Sequence, residues 1–378
     1  MNEMNKRLVI INQSTGFLMI DVANAYLKKY NEVVLITGRV SKLERELDSN
    51  IEIDKIIPYN KKNAYTRLFT WIWGTIQIFF KLFIKYRKAE VLYVTNPPLS
   101  YLLSCLIKNP FSILVYDTYP DALKNIGISE RNIIYKIWSS LNKIIFPKAK
   151  IIFTLSEGMA QNLSKYVSKE KITIIPNWSG SEKIKPISIE KNVFLQNKLF
   201  KNDFIILYSG NLGYTHNLEI IMEVAKKLRN EKDIHFLFIG EGKKKKDLIK
   251  TVDNYDLTNC SFLTWQEADI MPYSLASAHL GVVTLNEETA HLSVPSKTYN
   301  LLAAGVPLLS ISPHKSEISN LIQQYQNGRN FTNLQIDEIC EFILLCRGNS
   351  DLMKKMSSQS LLASKDFTYE NALLYLKN

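Results

Sequence analysis

Short runs of consecutive apolar residues alternate with longer amphipathic stretches along most of this chain. In the first half the apolar runs are Leu8–Ile11, Val33–Thr37, Val91–Thr95, Ile113–Tyr116, Ile151–Leu155 and Ile172–Ile175. Helical patterns such as Met19–Tyr30 and Pro98–Ile107 lie between them. Runs of this kind suit strands buried on both faces, and their alternation with helices predicts a parallel sheet covered on each side. The pattern breaks between Trp178 and Lys201, where Ser-Gly-Ser at 179–181 and Pro186 sit among polar residues. It then resumes. Strands are expected at Phe204–Tyr208, His235–Ile239, Cys260–Leu263, Gly281–Leu285 and Val306–Ser310, with helices at Asn217–Arg229, Lys243–Val252, Pro272–Ser277, Ser296–Ala304 and Lys315–Tyr325. The segments Gln335–Arg347, Asp351–Ser364 and Glu370–Leu376 read as helical. The expected organisation is an α/β domain at 1–180, a linker at 181–201 and a second α/β domain at 202–360. A C-terminal helical segment at 361–378 would pack back on the first domain.

Composition narrows the class. The chain has 378 residues, 46% hydrophobic and 22% charged, enough for two cores and too apolar for wholesale disorder. Lys and Arg number 47 against 36 Asp and Glu, a net +11 that implies an anionic partner. Cys105, Cys260, Cys340 and Cys346 form no CxxC pair and stand at no zinc-ligand spacing, so they read as reduced thiols and no metal site is expected. Met1–Arg7 is polar and is followed by an apolar run too short for a signal peptide, which points to the cytoplasm.

One segment stands out. Leu68–Ile84 reads LFTWIWGTIQIFFKLFI, with Lys61, Lys62, Arg67, Lys85, Arg87 and Lys88 around it. It is shorter than the ~20 apolar residues a spanning helix needs, and Lys81 would be costly at mid-bilayer. Two readings stand: a very apolar core helix, or a helix lying in an anionic membrane interface with Trp71 and Trp73 at headgroup level. A second basic and apolar stretch, Arg131–Lys150, favours the interface.

Ligands of open α/β sheets bind beyond the carboxyl ends of the strands, so the loops there carry the chemistry. After Phe204–Tyr208 comes Ser-Gly-Asn-Leu-Gly, bringing Gly210, Asn211 and Gly213, with His216 just beyond. After His235–Ile239 comes Gly240-Glu-Gly242, then Lys243 to Lys246. Glycines let backbone approach a phosphate, although these loops lack the GxGxxG fingerprint of nicotinamide enzymes. The four lysines read better as a solvated helix face. Most informative is Ser293-Val-Pro-Ser-Lys-Thr-Tyr-Asn300, leading into Ala-Ala-Gly305. Ser296 suits an N-cap, and first-turn amides at Ser296, Lys297 and Thr298 would suit a diphosphate, with Asn300 a turn further on. Trp265 follows a strand where it would stack on a base or pack its own loop. Asp117 and Asp121, in Asp-Thr-Tyr-Pro-Asp, either cap a helix or touch substrate, and Gly16 is assigned to the acceptor side.

These motifs occur in an order that resembles the family 4 retaining glycosyltransferases, in the branch that builds bacterial surface polysaccharides. Ser-Gly-Asn-Leu-Gly, Phe-Ile-Gly-Glu-Gly, Ser-Val-Pro-Ser-Lys, Asp117-Thr-Tyr-Pro-Asp121, Leu155-Ser-Glu-Gly-Met159 and Ile175-Pro-Asn-Trp178 together span nearly the whole chain. The resemblance implies a GT-B fold, two facing Rossmann-like doubly wound domains with a cleft between them. It implies a nucleotide-diphosphate sugar, a UDP-sugar foremost, bound by the C-terminal domain, with neither cofactor nor metal. It implies transfer to a lipid-linked or saccharide acceptor on the N-terminal side, at the inner face of the cell membrane. The family's diphosphate Arg and Lys correspond to Asn211 and His216, which throws weight onto Lys297. Its second glutamate corresponds to Asn300, and Glu287 and Glu288 stand in for the first. A two-Rossmann oxidoreductase lacks its fingerprint here, and no basic and aromatic stretch suggests nucleic acid. A GT-B-type UDP-sugar 2-epimerase and a non-catalytic nucleotide-sugar-binding module remain as alternatives.

Overall fold

The computed structural model describes residues 6–41, 44–196, 198, 200–213, 216–286 and 295–377. Two compact units result, one formed by Met1–Gly180 with Tyr369–Asn378, the other by Ser181–Thr368.

In the first unit the apolar runs become β1 (Arg7–Ile11), β2 (Glu32–Thr37), β3 (Glu52–Lys55), β4 (Glu90–Val94), β5 (Phe111–Leu114), β6 (Ile152–Thr154) and β7 (Ile172–Ile174). They pair in the order β3-β2-β1-β4-β5-β6-β7, every pair parallel. The second unit repeats the plan with β8 (Phe204–Ser209), β9 (Ile234–Ile239), β10 (Cys260–Leu263), β11 (Leu280–Thr284), β12 (Leu308–Ile311) and β13 (Gly328–Phe331). Its order is β10-β9-β8-β11-β12-β13, again all parallel. Both sheets therefore reverse direction beside their first strand, the topological switch of doubly wound folds. The expected α/β class of two Rossmann-like sheets is what forms.

Several differences from the sequence reading have physical reasons. Strands β3 and β13 were not expected. Glu-Ile-Asp-Lys and Gly-Arg-Asn-Phe lie at sheet edges, where one side faces solvent and no apolar run is required. Pro98–Ile107 is not an α-helix, and only Ser100–Cys105 forms a 3-10 turn. Residues 181–201 are part of the second unit, where Ile184, Phe194, Leu195 and Phe200 join its core. Of 361–378, the part up to Thr368 belongs to the second unit, and the first unit receives Tyr369 onward. There the 3-10 turn Tyr369–Leu376 packs on α1 (Phe17–Tyr26), with Tyr375 against Phe153.

The apolar segment forms helix α2 (Ala64–Ile84). Asn63 and Thr66 close a capping box at its start. Only Thr70, Gly74, Ile78 and Leu82 are buried, a single stripe at four-residue spacing. A Cβ on Gly74 would lie 2.7 Å from the Gln13 Nε2, so glycine permits close seating of the helix. Gln13 Nε2 donates to the Thr70 carbonyl at 2.7 Å and to that of Ile57 at 3.1 Å. The outer face is left apolar and uncovered in the first unit: Leu68, Phe69, Trp73, Phe80 and Ile84 are between 47% and 72% exposed. Trp71 departs from expectation, since it turns inward and stacks on Tyr59. Helix α3 (Ile133–Ile145) repeats the pattern, with Ile133, Ile134, Ile137 and Ile144 exposed. Both helices flank the Ser100–Cys105 turn, which ends beside exposed Leu106. No helix among the described residues is long and apolar enough to cross a membrane.

A polar cluster ties the first unit together. Asp21, on α1, accepts from Arg45 Nε at 2.6 Å, Arg45 Nη2 at 2.7 Å and Trp178 Nε1 at 2.8 Å. Its side chain is 3% exposed, and removing one partner from such a pair strands a buried charge. Asp21→Asn is expected to lower the unfolding free energy by about 3–5 kcal/mol, measured by urea titration. A loss below ~1 kcal/mol would mean the cluster behaves as a surface pair.

Candidate functional site in the second unit

The cavity lies at the carboxyl ends of β8 and β9. The loop after β8 and the loop after β9 are laced together by backbone: Gly210 N donates to Ile239 O at 2.9 Å, and Leu212 N to Glu241 O at 2.9 Å. Gly240 adopts φ +144°, and a Cβ there would sit 2.0 Å from the Gly210 carbonyl oxygen. Only glycine fits this crossing. Lys244 and Lys245 hold the same corner. Lys244 Nζ donates to His216 O and to Glu219, both at 2.8 Å, and Lys245 Nζ pairs with Glu241 at 2.6 Å. The lysine run is therefore not a uniformly solvated face, because its second and third members brace the site.

The resulting cavity has a volume of about 340 Å³. Of the residues expected there, Gly210, Asn211, His216, Trp265, Ser296, Lys297 and Asn300 line it. Gly240 and Gly242 do not line it and serve to let the loops meet. Gly213 also lies off the wall, and Thr298 is fully buried in the helix behind it. Met271, Leu275 and Leu301 supply an apolar wall that the sequence reading missed. Their signal was present: Met271–Leu275 forms the short helix α4 after β10. Trp265 stands 54% exposed at the rim.

Lys297 dominates the electrostatics. Its ammonium is buried, lies 3.7 Å from the centre of the Tyr208 ring, and has no hydrogen-bond partner among the described residues. Desolvation pushes its pKa down from an ordinary 10.5 to about 7. The helix it opens, α5 (Lys297–Ala303), has seven residues, and Ser296 already has helical angles with no side-chain cap bond. The anticipated helix-start anion site is thus reduced to the lysine itself. His216 adds no charge: burial, then the Lys297 ammonium, lowers its pKa to about 4. Its Nδ1 lies 3.1 Å from the Thr284 carbonyl, which suits a neutral ring donating from that nitrogen. Glu287 and Glu288 lie outside the described residues. Among the described residues no cluster of His, Cys, Asp and Glu is placed to hold a metal ion.

The first-unit residues separate into two kinds. Asp121 is committed to structure. Burial alone would raise its carboxyl, but hydrogen bonds from Lys165 at 2.5 Å and Tyr135 at 2.6 Å hold it below the ordinary range. That network braces the loop after β5 and leaves no free oxygen for chemistry. Asp117 has a solvent-exposed side chain, yet the protein packed around it desolvates the carboxyl and raises its pKa. Gly16 precedes α1, and a Cβ there would meet nothing within 4 Å.

Known proteins match this arrangement. The sequence profile of glycosyl transferases group 1 covers residues 190–360. The chain is 27% identical over 307 residues to a probable glycosyltransferase, WbjE, of Pseudomonas aeruginosa, spanning 76% of each chain. It is 30% identical over 177 residues to WcaI of Escherichia coli, a putative colanic acid biosynthesis glycosyl transferase, spanning 46% of this chain and 43% of that one. Among solved structures, Anabaena Alr3699/HepE in complex with UDP superposes with a TM-score of 0.74 at 13% identity, covering 98% of both chains. Sucrose-phosphate synthase of Thermosynechococcus elongatus gives 0.75 at 12% identity, covering 98% of this chain and 97% of that one. The chain thus carries a glycosyl transferases group 1 domain at 190–360, and its two doubly wound sheets share their fold with Anabaena Alr3699/HepE and sucrose-phosphate synthase.

Proposed function

We propose that the chain transfers a sugar, with retention of configuration and without a metal ion, from a nucleotide-diphosphate sugar to a lipid-linked saccharide. The setting is bacterial surface-polysaccharide synthesis at the inner face of the membrane. The observation that carries the reading is the Lys297 ammonium in the wall of the second-unit cavity, unpaired among the described residues. A buried cation without a partner is costly alone and favourable beside an anion. A departing nucleotide diphosphate gains negative charge, and a preorganised ammonium stabilises that charge most where water is excluded. Trp265 at the rim offers a face for the base, and the glycine loops let backbone come close to phosphate. The fold shared with a protein solved with UDP supports uridine first. Asp117 is assigned to the acceptor or the reacting sugar. Retention rests on the family resemblance, and the name of WcaI, a putative colanic acid biosynthesis glycosyl transferase, supports the polysaccharide setting.

The outer faces of α2 and α3 supply the membrane side of the reading. They join exposed aromatic and aliphatic residues to exposed Lys62, Arg87, Lys88, Arg131, Lys136 and Lys143. An anionic bilayer interface matches both the apolar stripe and the charge.

Calorimetry with uridine, guanosine and thymidine diphosphates tests the donor, and no binding of any at millimolar concentration would refute it. Lys297→Ala is expected to weaken UDP roughly 10- to 150-fold, as for loss of a hydrogen bond to a charged group, while Lys246→Ala changes little. The same lysine should cost stability. Folding lowers its pKa from 10.5 to about 7, so between these values the unfolded chain holds more protons and stability rises with pH. Below about pH 7 the penalty is complete. Lys297→Met should therefore raise the melting temperature at pH 7, with a gain that shrinks toward pH 10, while abolishing UDP binding.

Anomeric configuration of the product, read by NMR with EDTA present throughout, checks the stereochemistry and the metal-free route. An inverted product overturns the first, and loss of activity in chelator overturns the second. For the membrane, the protein should sediment with vesicles containing phosphatidylglycerol in a salt-sensitive manner and ignore neutral ones. Trp73→Ser combined with Phe80→Ser should abolish sedimentation without changing UDP affinity.

A further inference from the structure

The inner side of α2, in its first two turns, carries a second group of residues that the donor site does not use. Arg67 is half-buried and forms an ion pair with no carboxylate among the described residues. Its guanidinium lies 5.5 Å from the centre of the Trp71 ring, and its charge opposes the rise that burial gives the pKa of Tyr59. Tyr59 and Trp71 stack at 5.9 Å and 12°. Trp71 meets Tyr119 edge-on at 6.2 Å, and Tyr119 stacks on buried Trp138 at 5.2 Å. The indole N–H of Trp71 has no acceptor among the described residues. Burial chiefly, and the charge of Asp117 in addition, raise the pKa of both Tyr59 and Tyr119.

We propose that Arg67, Tyr59, Trp71 and Tyr119 form the acceptor subsite, in which the guanidinium binds the phosphate of a phosphate-linked lipid saccharide and the rings pack against its first sugar. This rests on the transferase reading above and names the chemistry of its acceptor. A guanidinium without a carboxylate, backed by aromatic faces, suits a phosphate fork better than a point contact. Sugar rings present C–H faces that stack on aromatic side chains, as other apolar faces do.

Placement supports this assignment. Arg67 and Trp71 share α2 with Leu68, Phe69, Ile72 and Trp73, which face outward. A lipid whose tail lies in the bilayer against that outer stripe would carry its phosphate to the polar beginning of the same helix. Lys61 and Lys62, just before the helix, add positive charge at that level. The two hydrogen bonds from Gln13 to the Ile57 and Thr70 carbonyls fix this turn of α2 against the loop that carries Tyr59. The subsite is thus held in place before ligand arrives.

The test uses farnesyl diphosphate, a short isoprenoid diphosphate, in neutral phosphatidylcholine vesicles, with farnesol as the control lacking phosphate. Full-length protein should bind the diphosphate and quench its own tryptophan fluorescence, while farnesol does neither. Arg67→Gln should bind at least about tenfold more weakly, with UDP affinity, melting temperature and sedimentation with plain phosphatidylglycerol vesicles unchanged. Should that variant fail to fold, Arg67→Lys is read instead, and several-fold weaker binding is expected because one point charge replaces the fork. Wild-type affinity for the diphosphate in these variants would overturn the subsite. So would an equal loss on plain phosphatidylglycerol vesicles, since Arg67 would then contact bulk headgroups. Failure of the wild type to bind any nucleotide diphosphate would sink the transferase reading separately, whatever the farnesyl probe shows.

Discussion

A parallel β-sheet must be covered on both faces, and this requirement organises each unit of the chain. Parallel neighbours cannot be joined by a tight turn, so each strand is followed by a crossing segment that returns along the sheet. Side chains above and below must then be apolar, which is why β1, β2, β4, β8 and β9 read as nearly unbroken runs. The requirement also gathers the loops after the strands at one edge. Chemistry can collect there without disturbing the cores, and the glycine corner between Gly210 and Gly240 arises in this way.

Within that corner one group sets the tone. Among the described residues the Lys297 ammonium faces a ring and no anion, and a neutral His216 beside it offers no relief. Lys244 and Lys245, by contrast, are satisfied by Glu219 and Glu241. Cations of the same type thus divide into those paired with carboxylates and one with no hydrogen-bond partner among the described residues. Asp121 and Asp117 divide similarly, the first consumed by Lys165 and Tyr135, the second left open.

Much of this was legible in the sequence, and the gaps have causes. The central strands declared themselves because burial on both faces leaves a continuous apolar run. The edge strands Glu52–Lys55 and Gly328–Phe331 did not, because an edge needs no such run. Lys297 was visible through its Val-Pro-Ser-Lys setting, yet its isolation from any partner depends on how Tyr208 and the β8 loop fold around it. The apolar residues of α2 were plain, but the division between an inner stripe and an uncovered outer face required the helix to be seated on Gln13. Periodicity could not show which way Trp71 pointed, since both sides of the helix are apolar. The Arg67 group was invisible for a related reason: its members come from a loop, a helix and a second loop far apart along the chain.

The unpaired lysine also bears on the life of the protein in a cell. A fold that carries an uncompensated charge in its empty state is weakest when its ligand is scarce, and it gains stability by mass action as the ligand accumulates. Proteases that sample transiently opened chains would remove the empty form faster than the occupied one. If the donor is what compensates Lys297, the abundance of the enzyme would follow the supply of its own sugar nucleotide, with no transcriptional control needed for that coupling.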